Sequence, residues 1–198
     1  MDFQISKLKG RYVYLELLGE AHRDKLSQLA RDPRIWEGNR GFIINDSFDQ
    51  QFERYFATAM DKDALGGQQS FVIRLVADHE IIGMSRLLNI DPKDKRLEIG
   101  YTWYIPALWG MVYNKECKLL LLQYAFEVMG FHRVQFNVAG QNIRSQKAVE
   151  KIGGVREGIL RKHGYRNDGS LKDTHIFSII DDEWPVKKEK LLRLVDEG

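Results

Sequence analysis

Cysteine is almost missing from this chain. One residue, Cys117, stands among 198, which excludes an internal disulfide framework and any site built from several thiolates. Histidine is sparse: His22, His79, His132, His163 and His175 show no metal-ligand spacing, so no metal is expected. An excess of one charge is also missing. Thirty basic residues face 28 acidic ones, a net +2, which lacks the basic surplus of an electrostatic nucleic-acid binder but leaves room for a small basic pocket. No apolar run approaches the roughly 18 residues of a membrane span; the densest, Leu119 to Leu122, is bounded by Lys118 and Gln123. The start, Met1-Asp2-Phe3-Gln4, lacks the regions of a signal peptide, so a cytoplasmic protein is expected and the Asn45-Asp46-Ser47 sequon carries no meaning. Proline is rare, at Pro33, Pro92, Pro106 and Pro185, and no repeat, low-complexity segment or linker separates domains.

What is present fits one globular domain, with 43% apolar and 11% aromatic residues. Residues 1–185 are expected to form it, with 186–198 as a basic tail forming a short helix whose Lys187-Lys188-Glu189-Lys190 faces solvent. Tyr12 to Leu18 reads as a strand, and Glu20 to Arg31 as a helix stopped by Asp32-Pro33. Ser47-Phe48-Asp49-Gln50 has capping-box spacing, and Phe48, Phe52, Tyr55, Phe56 and Met60 then recur as a helical stripe. The period switches to two in Ser70 to Ala77 and Glu80 to Leu88, a hairpin about Asp78-His79, and again in Arg96 to Tyr104. A helix over Asn114 to Met129, a strand over Arg133 to Val138, a helix over Asn142 to Ile152 and strands over Val155 to Leu160 and Thr174 to Ile180 complete the order. This pattern predicts an α/β chain with a mixed sheet and helices on both faces.

Two stretches carry chemistry. In the first, a strand from Glu98 runs through Trp109-Gly110 into the helix at Asn114. The unpaired N–H groups and positive dipole end of such a helix can hold a phosphate, with Lys115 or Lys118 adding charge. Many strand–loop–helix units contain a glycine, so this unit alone is equally readable as structural. The second stretch is the helix Asn142-x-x-Ser145-x-x-Ala148, which follows a strand.

With Gly100-Tyr101-Thr102-Trp103, Asn114-Lys115-Glu116-Cys117-Lys118 and the closing Asp173-Thr174-His175 to Trp184-Pro185, these stretches resemble the GNAT acyltransferases, and among them the RimJ/RimL-like branch. The resemblance covers about Leu8 to Trp184. It implies the GNAT fold, with a mostly antiparallel sheet whose two central strands splay apart. Acetyl-CoA would enter the gap as cosubstrate, its pantetheine arm beside Tyr101, Thr102 and Trp103 and near Asn142 and Ser145. Its pyrophosphate would sit at Trp109, Gly110, Met111, Val112, Tyr113, Asn114 and Lys115. Where the family loop has a second glycine this chain has Val112, a costly exchange if that position needs φ > 0.

The resemblance further implies direct attack of a primary amine on the thioester. The amine must be neutral, the developing oxyanion needs a donor and the leaving thiolate needs a proton. An α-amine of pKa about 7.8 is roughly 14% neutral at pH 7, against about 0.04% for a lysine amine, so an N-terminal acceptor needs only a modest base. Glu98 is the candidate base; the residues alone equally allow it to face solvent or pair with Arg96. A backbone N–H near Tyr101 to Trp103 would serve the oxyanion. The family's tyrosine acid is replaced by Val149, which leaves Ser145 as candidate acid or as a helix-start serine bonding to backbone; Asn142 is equally readable as a plain N-cap. Trp36, Arg40, Phe42 and Trp103 are the expected acceptor-binding residues, although aromatics such as Trp103, Tyr104 and Trp109 also serve as core. Cys117 is expected to act as a small hydrophobe. The acceptor would be a protein N-terminus or a small amine, with a homodimer as a further option and neither nucleic acid nor membrane as partner. The rival reading is a non-catalytic CoA-binding module of the same fold; an unrelated α/β phosphate-binding domain is a third.

Overall fold

The computed structural model describes residues 5–37, 47–166 and 169–198. Eight strands form one sheet: β1 Lys7–Lys9, β2 Val13–Leu17, β3 Gln69–Leu75, β4 Ile81–Asp91, β5 Arg96–Tyr104, β6 Arg133–Ala139, β7 Val155–Tyr165 and β8 Leu171–Ile180. Their order is β1-β2-β3-β4-β5-β6-β8-β7. All neighbours are antiparallel except β5 and β6, which run parallel because α3, Val112–Gln123, carries the chain back between them. The other helices are α1 Arg23–Ala30, α2 Phe48–Met60, α4 Ile143–Lys151 and α5 Trp184–Asp196. The mostly antiparallel GNAT-type sheet with helices on both faces is therefore observed.

Alternation along the strands divides the apolar residues into two cores. On one face Leu87, Leu97, Ile99 and Val134 pack with Cys117, Leu121, Leu122, Trp184 and Leu191 of α3 and α5. On the other, Val72, Ile81, Met84 and Trp103 pack with Leu26, Trp36, Phe48, Phe52 and Phe56 from α1, α2 and their connection. Phe48, Phe52 and Phe56 recur every four residues, which is why α2 buries a single stripe.

Four expectations change in detail. β1 is new, a three-residue strand too short for periodicity to reveal. α3 begins at Val112 rather than Asn114, and a π-helical turn over Tyr124–Val128 continues it before Gly130. Val112 lies inside the helix, and the left-handed residue of this loop is Gly110 (φ 81°), so valine in place of the second glycine carries no backbone strain. The short helix expected over the basic tail 186–198 is part of α5, which ends at Asp196; it is not merely solvated, because Leu191 and Val195 join the core beside α3 while Lys187 and Lys188 pair with Glu183 and Glu127 at its surface.

Gly83 of β4 fixes how closely β4 and β5 approach. A Cβ there would fall 2.0 Å from the backbone oxygen of Trp103. Gly83→Ala is therefore expected to destabilise the domain at or above the upper end of the roughly 1–3 kcal/mol typical of overpacking, measured by urea unfolding.

Candidate active site

The parallel ladder between β5 and β6 is short. Arg96, Leu97 and Glu98 pair with Arg133, Val134 and Gln135, and beyond Glu98 the two strands part. β5 remains zipped to β4, and β6 to β8, so the opening is a split within the sheet. A register shift between Met84 and Arg86 leaves one extra residue on β5, and Tyr101 takes a left-handed conformation there (φ 49°). This is a β-bulge, which bends a strand and redirects its side chains. Trp103 accordingly packs with the α1–α2 core, while Thr102 bonds to Lys118 of α3 on the opposite face.

A cavity of about 230 Å³ occupies the split. β5 contributes Gly100, Tyr101, Thr102 and Trp103, β6 contributes Asn137 and Val138, and α4 contributes Asn142, Arg144, Ser145 and Val149. Trp109, Gly110 and Asn114 form the rim where α3 begins. Of the residues the sequence named for a cosubstrate, Tyr101, Thr102, Trp103, Trp109, Gly110, Asn114, Asn142 and Ser145 line this one cavity. Met111 is half exposed and caps α3, Val112 is buried in the core and Tyr113 packs against it; none of these side chains lines the cavity. Lys115 is turned away, its ammonium donating to the Leu194 carbonyl at 3.1 Å. Trp36 and Trp103, with ring centroids 5.8 Å apart, belong to a core and line the cavity at once, so the two roles weighed for aromatics coincide. Arg40 and Phe42 lie outside the described residues.

Asn142 caps α4, its Oδ1 accepting the Ser145 backbone N–H at 3.1 Å, and Ser145 is half-buried at the cavity wall. Glu98 neither faces open solvent nor pairs with Arg96, which bonds to Asp91 instead. Its carboxylate is buried where the ladder ends and accepts hydrogen bonds from Asn137 at 2.7 Å and Asn89 at 3.2 Å. Burial raises its pKa from 4.5 to about 7, against the pull of these two amides. Asn137 lines the cavity in the split, whereas Glu98 lines a second, polar cavity of about 360 Å³ with Asp91, Arg96, Arg133 and Gln135. The hydrogen bond between Glu98 and Asn137 stands between the two spaces.

Several residues stand at this site in roles the sequence did not give them. Tyr55 of α2 receives the indole N–H of Trp103 at 3.1 Å. Arg144 lies 3.5 Å over the Trp109 ring, at the rim beside the start of α3. Lys118, which the sequence offered only as an optional phosphate contact, is 6% exposed and donates to Thr102 Oγ1 at 2.6 Å. Asn137 and Tyr55 looked like ordinary sheet and helix residues, and only the split gives them a role. Among the described residues no group of three His, Cys, Asp or Glu could hold a metal ion, and no helix is long and apolar enough to cross a membrane.

The model of the acetyltransferase (GNAT) domain family matches residues 13–155. The chain is 33% identical over 101 residues to the uncharacterized N-acetyltransferase YoaA of Bacillus subtilis, a match covering 51% of this chain and 56%, under two thirds, of that relative. It is 34% identical over 185 residues to the probable N-acetyltransferase YjcK of Bacillus subtilis, covering 89% of this chain and 99% of that protein. A GCN5-related N-acetyltransferase from Brucella melitensis superimposes with a TM-score of 0.85 at 28% identity, covering 96% of this chain and 86% of that one. The fold is shared at 21% identity and a TM-score of 0.70 with spermidine N-acetyltransferase from Vibrio cholerae, solved with CoA and spermine, over 87% of this chain and 98% of that one. Together with a sheet that opens beside the start of α3, these matches show that the chain belongs to the GNAT family of acetyltransferases.

Proposed function

We propose that this protein transfers the acetyl group of acetyl-CoA to a primary amine, and that it belongs to the RimJ/RimL-like branch. The observation that carries this reading is the split: three parallel pairs, then a cavity bordered by an unpartnered backbone edge and a helix N-terminus. The backbone edge of β5 beyond Glu98 offers N–H and C=O groups to the two amides of a pantetheine arm, as an added strand would. The first turn of α3, next to Gly110, supplies unpaired N–H groups for a diphosphate, and Arg144 on Trp109 adds a cation at the same rim. When bound, the cosubstrate supplies an activated acyl group.

The acceptor enters from the α1–α2 face, past Trp36, Tyr55 and Trp103. Glu98, half-ionised near neutral pH and held by Asn137, takes the amine's proton through water. An N–H of the bulge at Tyr101 to Trp103 polarises the carbonyl. Ser145, at the α4 wall, positions the arm. A protein N-terminus or a small amine fits this scheme.

Acetyl-CoA at about 100 times its Kd is expected to stabilise the protein by roughly 2.7 kcal/mol. That is about 5–10 °C in Tm for a chain of this size. Transfer to a panel of peptide N-termini and small amines then reads activity. No thermal shift and no CoA binding would overturn the reading; binding without transfer or slow thioester hydrolysis would leave only a CoA-holding module.

A further inference from the structure

Lys118 is a buried cation without a buried anion. Among the described residues it joins no ion pair, and its single hydrogen bond goes to the neutral Thr102 hydroxyl, which in turn shares a 2.7 Å bond with Ser85. Its neighbours on α3 do not compensate. Glu116 points to the β1–β2 turn, Lys115 to α5, and Cys117 is a buried thiol whose own pKa burial raises. Across the cavity, β5 brings Tyr104 and α4 brings Arg144 and Ser145, none of them anionic; Glu98 points to the opposite face of the sheet. Holding an ammonium in such a place is costly unless an anion arrives.

The bulge shows where that anion arises. Trp103 and Thr102 are adjacent residues that face opposite sides of the sheet, and both line the cavity. An amine entering past Trp103 therefore approaches a carbonyl at this point from one face, and the group expelled leaves toward Thr102 and Lys118 on the other. Resting on the function proposed above, we infer that Lys118 is a catalytic residue: its ammonium meets the sulfur that leaves the thioester and hands it a proton. The acceptor nitrogen forms a bond to the carbonyl carbon, the carbon–sulfur bond breaks with its electron pair on sulfur, and that sulfur takes the proton from Lys118 Nζ. The neutral lysine amine regains a proton from solvent, while the proton lost by the acceptor passes to the base. Burial lowers the Lys118 pKa to about 8, close to that of an ordinary thiol near 8.5, so the transfer is nearly balanced. On the α4 wall Val149 is apolar and Ser145 offers a neutral hydroxyl, so Lys118 is the cavity's acid of thiol-like pKa.

The test is the titration of CoA itself bound to the protein, followed by thiolate ultraviolet absorbance against pH, beside turnover. In wild type the bound thiol is expected to ionise at least tenfold more readily than in Lys118→Met. In that variant kcat falls about 100-fold while acetyl-CoA affinity changes less than threefold. Thr102→Val keeps the charge and loosens its position, so its thiol titration is expected to fall between the two, and it remains informative if Lys118→Met does not fold. Identical thiol titration in wild type and the variants would overturn the inference while leaving acetyl transfer intact. Failure of wild type to bind CoA would overturn the underlying reading and the inference with it.

Discussion

Glu116→Ala is expected to remove on the order of 3–5 kcal/mol of folding stability, a large part of the 5–15 kcal/mol that holds a domain of this size together. The Glu116 carboxylate is buried and accepts the backbone N–H groups of Arg11, Tyr12 and Val13, each at 2.7 Å. Arg11 and Tyr12 lie in the turn before β2 and Val13 opens that strand, and Glu116 is the acceptor for all three N–H groups. Alanine strands them, at about 1–3 kcal/mol for each donor that water cannot reach. Glutamine keeps one acceptor oxygen, which can retain Tyr12 and Val13, so its loss is expected to be smaller. Gly10 belongs to the same contact, because a Cβ there would lie 2.5 Å from the Glu116 carboxyl carbon. Gly10→Ala is thus expected to cost stability in wild type and little in the Glu116→Ala background. Urea unfolding of the four proteins measures this coupling, and additive effects would refute it.

Glu98→Gln is expected to lower kcat by about 10²–10⁴-fold with acetyl-CoA binding retained, and to abolish an acid limb of the rate profile centred near pH 7. The same substitution has a stability signature. In the folded protein the carboxyl titrates near 7 rather than 4.5, so between these values the native state binds more protons than the unfolded chain. Stability therefore falls as pH rises through this window; the penalty is absent below about pH 4.5 and complete above about pH 7. Its full size is about 3 kcal/mol at roughly 1.4 kcal/mol per pH unit. Glu98→Gln is expected to flatten that slope and to be the more stable protein at pH 8. Unfolding at pH 5 and pH 8 checks it; an unchanged slope would mean that the carboxyl is solvated in the native state.

The elements were legible where a residue type and a local period agree. The Phe48-Phe52-Phe56 stripe, the hairpin about Asp78-His79 and Gly130 after the long helix all fall where pattern and turn chemistry place them. The rim of the site was legible too, because Trp109, Gly110 and Asn142 act through loop and cap chemistry that is local. The bulge at Tyr101 was not. It exists because β4 and β5 shift register, and register is a relation between strands that neither one carries alone. For the same reason the orientation of Lys118 was hidden. On a helix buried nearly all round, its charge looked like one more contact for the rim, and only the non-local split gives that side chain a space to face.

The separation of the apolar interior into two cores has an evolutionary consequence. The cluster behind α3 and α5 backs the split edge of β5 and the start of α3, while the cluster under α1 and α2 backs the other face of the sheet. Substitutions that repack Phe48, Phe52 or Trp36 can therefore drift with little disturbance to Leu97, Leu121 or Phe177 across the sheet. Two apolar layers thus meet along one sheet, with Trp109 packed against both, and each can vary largely within its own face.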